Sequence, residues 1–120
     1  MEIGLLIKSK FDDSSLKFHG NIQTMQHTIK DFELHRNSYK TEETPKHPDF
    51  IIYYKNRDGA LIKIGAAWYR EYIRNGISGE MVSLTFDDPS FDATIHATAF
   101  RGEDEYRWPI TWRRERSKSA

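Results

Sequence analysis

The chain has 120 residues and a mass of 14.1 kDa, enough for one domain with its own core. Its 18 basic and 18 acidic side chains cancel, which excludes a uniformly basic nucleic-acid binder and an acidic solvating tail. The lack of cysteine excludes a disulfide framework, a thiol nucleophile and a thiolate zinc site, and the 13% of aromatic residues argues against disorder.

Hydrophobic residues recur with a period of two almost throughout, the signature of strands. Ile3, Leu5 and Ile7 predict a first strand, and Asp12 to Ser15 a turn. Leu16, Phe18, Gly20 and Ile22 alternate with polar residues and predict a second strand, hairpinned to the first. Ile29, Phe32 and Leu34 mark a third, where the step from 29 to 32 breaks the alternation and predicts a bulge or an irregular start. Residues 37–49 include two prolines and several charges and read as a mobile loop.

Phe50, Ile52 and Tyr54 resume a strand, which Asn56-Arg57-Asp58-Gly59 turns. The next strand carries Ile62, Ile64, Ala66 and Trp68 on one face, with Leu61, Gly65 and Ala67 on the other, and reads as buried on both. Asn75-Gly76 and Ser78-Gly79 signal a further turn before Val82, Leu84 and Phe86. Asp87, Asp88, Pro89 and Ser90 stop that strand in a structural turn that should aim Phe91 into the core. Ile95, Ala97 and Ala99 form one strand, and Tyr106, Trp108, Ile110 and Trp112 the last. Pro109 has no amide donor, so the last strand reads as an edge.

The expected fold is therefore all-β. It is an antiparallel meander of seven or eight strands forming a small barrel or a two-sheet sandwich. One β domain spans residues 1–112, followed by a basic tail over 113–120. The expected core comprises Ile3, Leu5, Phe18, Ile22, Ile52, Ile64, Trp68, Leu84, Phe86, Ile95 and Ile110, with Trp108 also more core than surface.

Ile64-Gly65-Ala66-Ala67-Trp68, followed by the stretch from Val82 to Phe91, resembles the bacterial domain of unknown function family 736. Members of that family carry an IGAAW strand and then an LSVKLDDPSF strand and turn. Ile95-His96-Ala97 and the closing Ile110-Thr111-Trp112-Arg113-Arg114 extend the likeness, and Ile3-Gly4 and Phe18 to Ile22 match more loosely. Asp92 departs from the proline common after that phenylalanine, and residues 37–49 have no clear counterpart. The resemblance assigns no activity. It implies a setting on plasmids and other mobile elements, in DNA transfer or conflict with host defence.

The residues offer little for catalysis. Asp87 and Asp88 are adjacent carboxylates, but they suit an ordinary turn better than a cation or acid–base pair. The five histidines lack short metal-ligand spacing, and neither a Gly-x-Ser-x-Gly elbow nor a phosphate-binding glycine loop is present. No enzyme activity, cofactor or metal is expected. No apolar run approaches the ~18 residues that span a bilayer, so a cytoplasmic protein without a membrane partner is expected.

The binding lead is a combination of aromatic and basic residues. Residues 106–120 hold five basic side chains and one acid, net +4, which leaves net −4 for the rest of the chain. Trp112, Arg113, Arg114, Arg116 and Lys118, with Tyr69 and Arg70, are the candidate binding residues, because aromatic rings stack bases and arginine grips phosphate. A single-stranded nucleic acid is the expected partner. The alternative is a protein-interaction module or an inhibitor of a host defence protein.

Overall fold

A computed structural model describes residues 2–9, 16–24, 28–38, 41–43, 46–87 and 94–112. Eight strands follow one another in chain order: β1 (Glu2–Lys8), β2 (Leu16–Gln23), β3 (Thr28–Arg36), β4 (Phe50–Lys55), β5 (Leu61–Arg74), β6 (Ile77–Phe86), β7 (Ile95–Phe100) and β8 (Arg107–Thr111). Each pairs antiparallel with the next, and β8 pairs with β1, so the meander closes into a barrel. None of the described residues is helical.

Closure overturns the edge reading of β8. Its ladder to β1 runs from Glu2↔Thr111 to Ile7↔Arg107, whereas its ladder to β7 holds only Thr98↔Thr111 and Ala99↔Ile110. Lys8 N–H donates to the Tyr106 carbonyl on the β1 side, and Gly102 N–H donates to the Arg107 carbonyl on the other. Alternation then turns Pro109, two residues past Arg107, toward β7, just beyond that short ladder. The missing amide falls where no ladder bond is required, which is how proline sits in a closed sheet.

The barrel interior is apolar. Leu6, Ile22, Phe32, Leu34, Ile52, Leu84, Phe86, Trp108 and Ile110 are its largest fully or nearly fully buried side chains. Two of the expected core residues lie elsewhere. Leu5 is half-exposed while Leu6 is buried, and Trp68 is half-exposed while Ala67 is buried. Ile95 is only partly buried, packed against the core.

The cause is a bulge in each strand. Ile3 is the extra residue between Glu2↔Thr111 and Gly4↔Ile110, and Ile64 is extra between Ile52↔Gly65 and Tyr53↔Lys63. A bulge lets two successive residues share a face, so the inward set passes from odd to even positions in β1 and from even to odd in β5. β5 is not buried on both faces: only Ile64 and Ala67 are buried, and Leu61 and Ile62 at its start are exposed. The break between Ile29 and Phe32 is a third bulge, opposite the Gly20-to-Ile22 step of β2, where the alternation places it.

Two turns show their chemistry. Asn56 Oδ1 accepts from Asp58 N at 3.0 Å and Ala60 N at 2.9 Å, and Gly59 adopts φ of 82°. Asn75 and Gly76 have φ of 53° and 78°, the paired positive values of a two-residue hairpin turn. The loop between β3 and β4 is fastened at its ends. Asn37 N–H donates to the Asp49 carbonyl at 2.9 Å, and Asn37 Nδ2 to the Pro48 carbonyl at 2.9 Å. Trp68 Nε1 donates to the Lys46 carbonyl at 3.1 Å, which gives the outward indole its purpose.

Candidate functional site

In an up-and-down barrel the ends of odd strands and the starts of even strands meet at one rim. That rule gathers Lys8 from β1, Lys17 and Phe18 from β2, Arg36 from β3, Phe50 from β4 with Asp49 just before it, Tyr69 from β5, Glu80 from β6 and Trp108 from β8. Together they line a cleft of about 460 Å³ at the barrel mouth.

The floor is aromatic. Phe18 meets Phe50 edge-on at 5.6 Å and Trp108 edge-on at 5.3 Å. Phe18 and Trp108 are core residues, so Phe50 and Tyr69, both half-buried, are the rings a ligand could touch. Trp108 Nε1 donates to the Glu105 carbonyl at 2.7 Å, which fixes the indole plane.

The charges divide between the walls. Lys8, Lys17 and Arg36 come from three neighbouring strands on one side. The two carboxylates are both committed to protein donors. Asp49 Oδ2 accepts from Tyr69 N–H at 2.8 Å. Glu80 accepts from the Tyr69 hydroxyl and from Arg101, which also reaches Glu105 at 3.5 Å. The Tyr69 hydroxyl lies 3.2 Å from Glu71 as well.

Burial, reinforced by the Glu80 carboxylate, holds the Tyr69 phenol well above its ordinary 10.0. The bond from Tyr69 holds Glu80 below its ordinary 4.5 against desolvation by burial, and the bond and charge of Arg101 add to it. A lowered carboxylate contributes stability that is present above its unfolded value and lost as pH falls through its folded one. Urea midpoints of wild type and Tyr69→Phe should therefore differ most at neutral pH and converge at low pH. An equal gap at pH 7 and in acid would mean that ionised Glu80 is not the partner that matters.

Of the candidate binding residues read from the sequence, the three that lie among the described residues, Tyr69, Arg70 and Trp112, are not gathered in one place. Tyr69 lines the mouth, and Arg70 follows it on the outer face. Trp112 follows the end of β8, so it belongs to the opposite rim, and it packs partly buried against the core. Asp87 is exposed, and its N–H donates to the Ile64 carbonyl at 2.7 Å, a structural role at the end of β6. Asp88, Pro89, Phe91, Arg113, Arg114, Arg116 and Lys118 lie outside the described residues.

Lys8, Lys17, Arg36, Phe50 and Glu80 were not singled out by sequence. Each stands at or near a strand end facing the same rim, a signal that becomes readable only once the meander is known to close. Among the described residues, no three histidine, aspartate or glutamate side chains converge to hold a metal.

The chain matches the model of the family described as protein of unknown function (DUF736) over residues 7–115, and it belongs to that family. Neither a curated protein nor a solved structure matches it.

Proposed function

We propose that this member of the DUF736 family is a non-enzymatic binding module of a mobile genetic element, and that it takes single-stranded nucleic acid across the barrel mouth. Lys8, Lys17 and Arg36 contact phosphates, and Phe50 and Tyr69 offer ring faces to bases. The observation that carries this reading is the meeting of three cations from β1, β2 and β3 with half-buried aromatics at one rim. Of the two carboxylates in the same cleft, Glu80 is ion-paired with Arg101, which offsets its charge toward a polyanion, whereas Asp49 accepts a backbone N–H and keeps its charge.

Titration of a labelled oligonucleotide at several salt concentrations tests it. Each neutralised phosphate contributes about −0.7 to the log–log salt slope for a single strand. Lys17→Ala/Arg36→Ala should flatten the slope by about two such contacts. Phe50→Ala should weaken binding by about 1–3 kcal/mol per stacked base with little change in slope. Removal of residues 113–120 separates the contribution of the basic tail from that of the mouth. The alternative, a protein-interaction module or an inhibitor of a host defence protein, expects no oligonucleotide binding even at low salt, and that result would eliminate the first reading.

A further inference from the structure

The β5–β6 hairpin outgrows the barrel. β4 pairs with β5 only as far as Phe50↔Ala67, and β7 with β6 only as far as Met81↔Phe100. From Tyr72↔Gly79 to Arg74↔Ile77 the two strands pair only with each other. This ribbon does not stand clear of the sheet. Gly79 leaves room for the Tyr72 ring to lie across it, since an added Cβ would come within 2.5 Å of that ring. The ring then meets Phe100 of β7 edge-on at 6.1 Å. Arg74 is two residues further on the same face of β5, and it lines a cleft of about 460 Å³ with the outer wall of β6, β7 and β8.

Register builds that wall from polar side chains. Ser83↔Thr98 and Thr85↔His96 are successive pairs on the outward face of β6 and β7, and Thr98 pairs with Thr111 of β8 on its other side. The Cβ atoms of such opposed residues stand about 4.5–5.5 Å apart, close enough for two side chains to hold one small group. Two of the hydroxyls shape the wall. Thr111 Oγ1 donates to the Thr98 carbonyl at 3.2 Å, and Thr85 Oγ1 lies 3.2 Å from His96 Nδ1. With Nδ1 engaged, Nε2 is the ring nitrogen left for a ligand. The Ser83 and Thr98 hydroxyls and the Arg74 guanidinium have no protein partner among the described residues. Arg101, by contrast, is held by Glu80 and Glu105.

Among the described residues no carboxylate lines the cleft. Its polar side chains are a guanidinium, an imidazole and hydroxyls, all of them able to donate. An arginine without an acid, set among further donors, selects an anion. The donors come from the ribbon and from two strands of the wall, so they approach from different sides. A planar carboxylate would use only some of them. A phosphate monoester uses them all, because its three terminal oxygens point apart and share a charge of about −1.5 to −2 at neutral pH. Phe100, 39% exposed in the same cleft, offers an apolar edge to the body that carries the phosphate.

We infer that this cleft binds a phosphate monoester. Arg74 grips the phosphate from the ribbon, and Ser83, Thr98 and His96 donate to it from the wall. A free nucleotide and the phosphorylated end of a nucleic-acid strand present the same chemistry. The inference goes beyond the reading of the mouth and shares no residue with it.

The test titrates the full chain calorimetrically with adenosine monophosphate, adenosine and inorganic phosphate, and with one single strand bearing either a terminal phosphate or a terminal hydroxyl. Adenosine monophosphate should bind, inorganic phosphate should displace it, and adenosine should not bind. Arg74→Ala should lower the affinity for adenosine monophosphate by about tenfold or more, as loss of a charged hydrogen-bond partner does. Its melting temperature and its affinity for the hydroxyl-ended strand should stay at the wild-type values, since the side chain is exposed and remote from the mouth. Ser83→Ala/Thr98→Val should weaken the nucleotide several-fold. A preference for the phosphorylated strand that Arg74→Ala abolishes makes a strand end the source of the phosphate; equal binding of the two strands makes it a free small molecule. The inference is overturned if wild type at millimolar ligand takes up no adenosine monophosphate and does not prefer the phosphorylated strand. Adenosine binding as tightly as its monophosphate overturns it as well. So does loss of nucleotide binding in Lys17→Ala/Arg36→Ala but not in Arg74→Ala, which would place the phosphate in the mouth. Nucleotide binding by a chain that ignores the hydroxyl-ended strand overturns the mouth reading alone and leaves this one standing.

Discussion

Trp108→Ala should leave the barrel with little net stability. The indole is 2% exposed, the largest of the fully buried side chains, and sits between the core and the mouth. Truncating a buried tryptophan costs about 3–5 kcal/mol, because apolar area is lost and the cavity cannot fully collapse. The edge-on contact with Phe18 at 5.3 Å goes with it, and the Glu105 carbonyl loses its donor. Small domains hold only ~5–15 kcal/mol in total, so one substitution removes a large share. Trp108→Phe keeps a ring against Phe18 and loses the hydrogen bond, so it should cost far less. Urea denaturation of the three proteins measures the difference. A loss below about 1 kcal/mol for Trp108→Ala would contradict the burial on which the barrel depends.

The same residue illustrates what the sequence could and could not reveal. Alternation at Trp108 and Ile110 put both side chains inward, and they are inward. Turn chemistry at Asn56 to Gly59 and at Asn75-Gly76 marked the hairpins where they occur. Closure was not legible, because the β1–β8 ladder joins the two ends of the chain and leaves no local mark; barrel and sandwich share one strand pattern. The inward or outward placement of Leu5 and Trp68 was not legible either. A period of two says which residues alternate, not where a bulge resets the count. The mouth was hidden for a different reason. Lys8, Lys17 and Arg36 each look like a solubilising charge at a strand end, and only the fold brings them to one rim. Of their neighbours, Phe18 reads as core and is core, while Phe50 reads only as the start of a strand and is half-buried against the core.

Gly65→Ala should be the most damaging single methyl that can be added to this chain, together with Gly4→Ala. Both glycines follow the extra residue of a bulge, as Ile64-Gly65 and Ile3-Gly4. A Cβ on Gly65 would lie 1.9 Å from the Thr85 carbonyl oxygen, and one on Gly4 would lie 1.9 Å from that of Asn21. The obstacle is backbone in both cases, so no side chain can swing aside. Gly65 also pairs with Ile52 on one flank and Phe86 on the other, so displacing it strains two ladders at once. Overpacking a core by a methylene or so costs about 1–3 kcal/mol, and a clash against fixed backbone on a doubly paired strand belongs at or above the top of that range. Conformational freedom is not the reason for glycine here, since positive φ is confined to Gly59, Gly76 and Asn75 among the described residues. Gly76→Ala separates the two causes. Nothing lies within 4 Å of its Cβ position, but its φ is 78°, so it should cost only the roughly 1–2 kcal/mol of a left-handed residue. Thermal melts should therefore rank wild type above Gly76→Ala, and Gly76→Ala well above Gly4→Ala and Gly65→Ala. If Gly65→Ala melts with Gly76→Ala or higher, the close approach of β5 to β6 at the bulge is not what holds this corner of the barrel together.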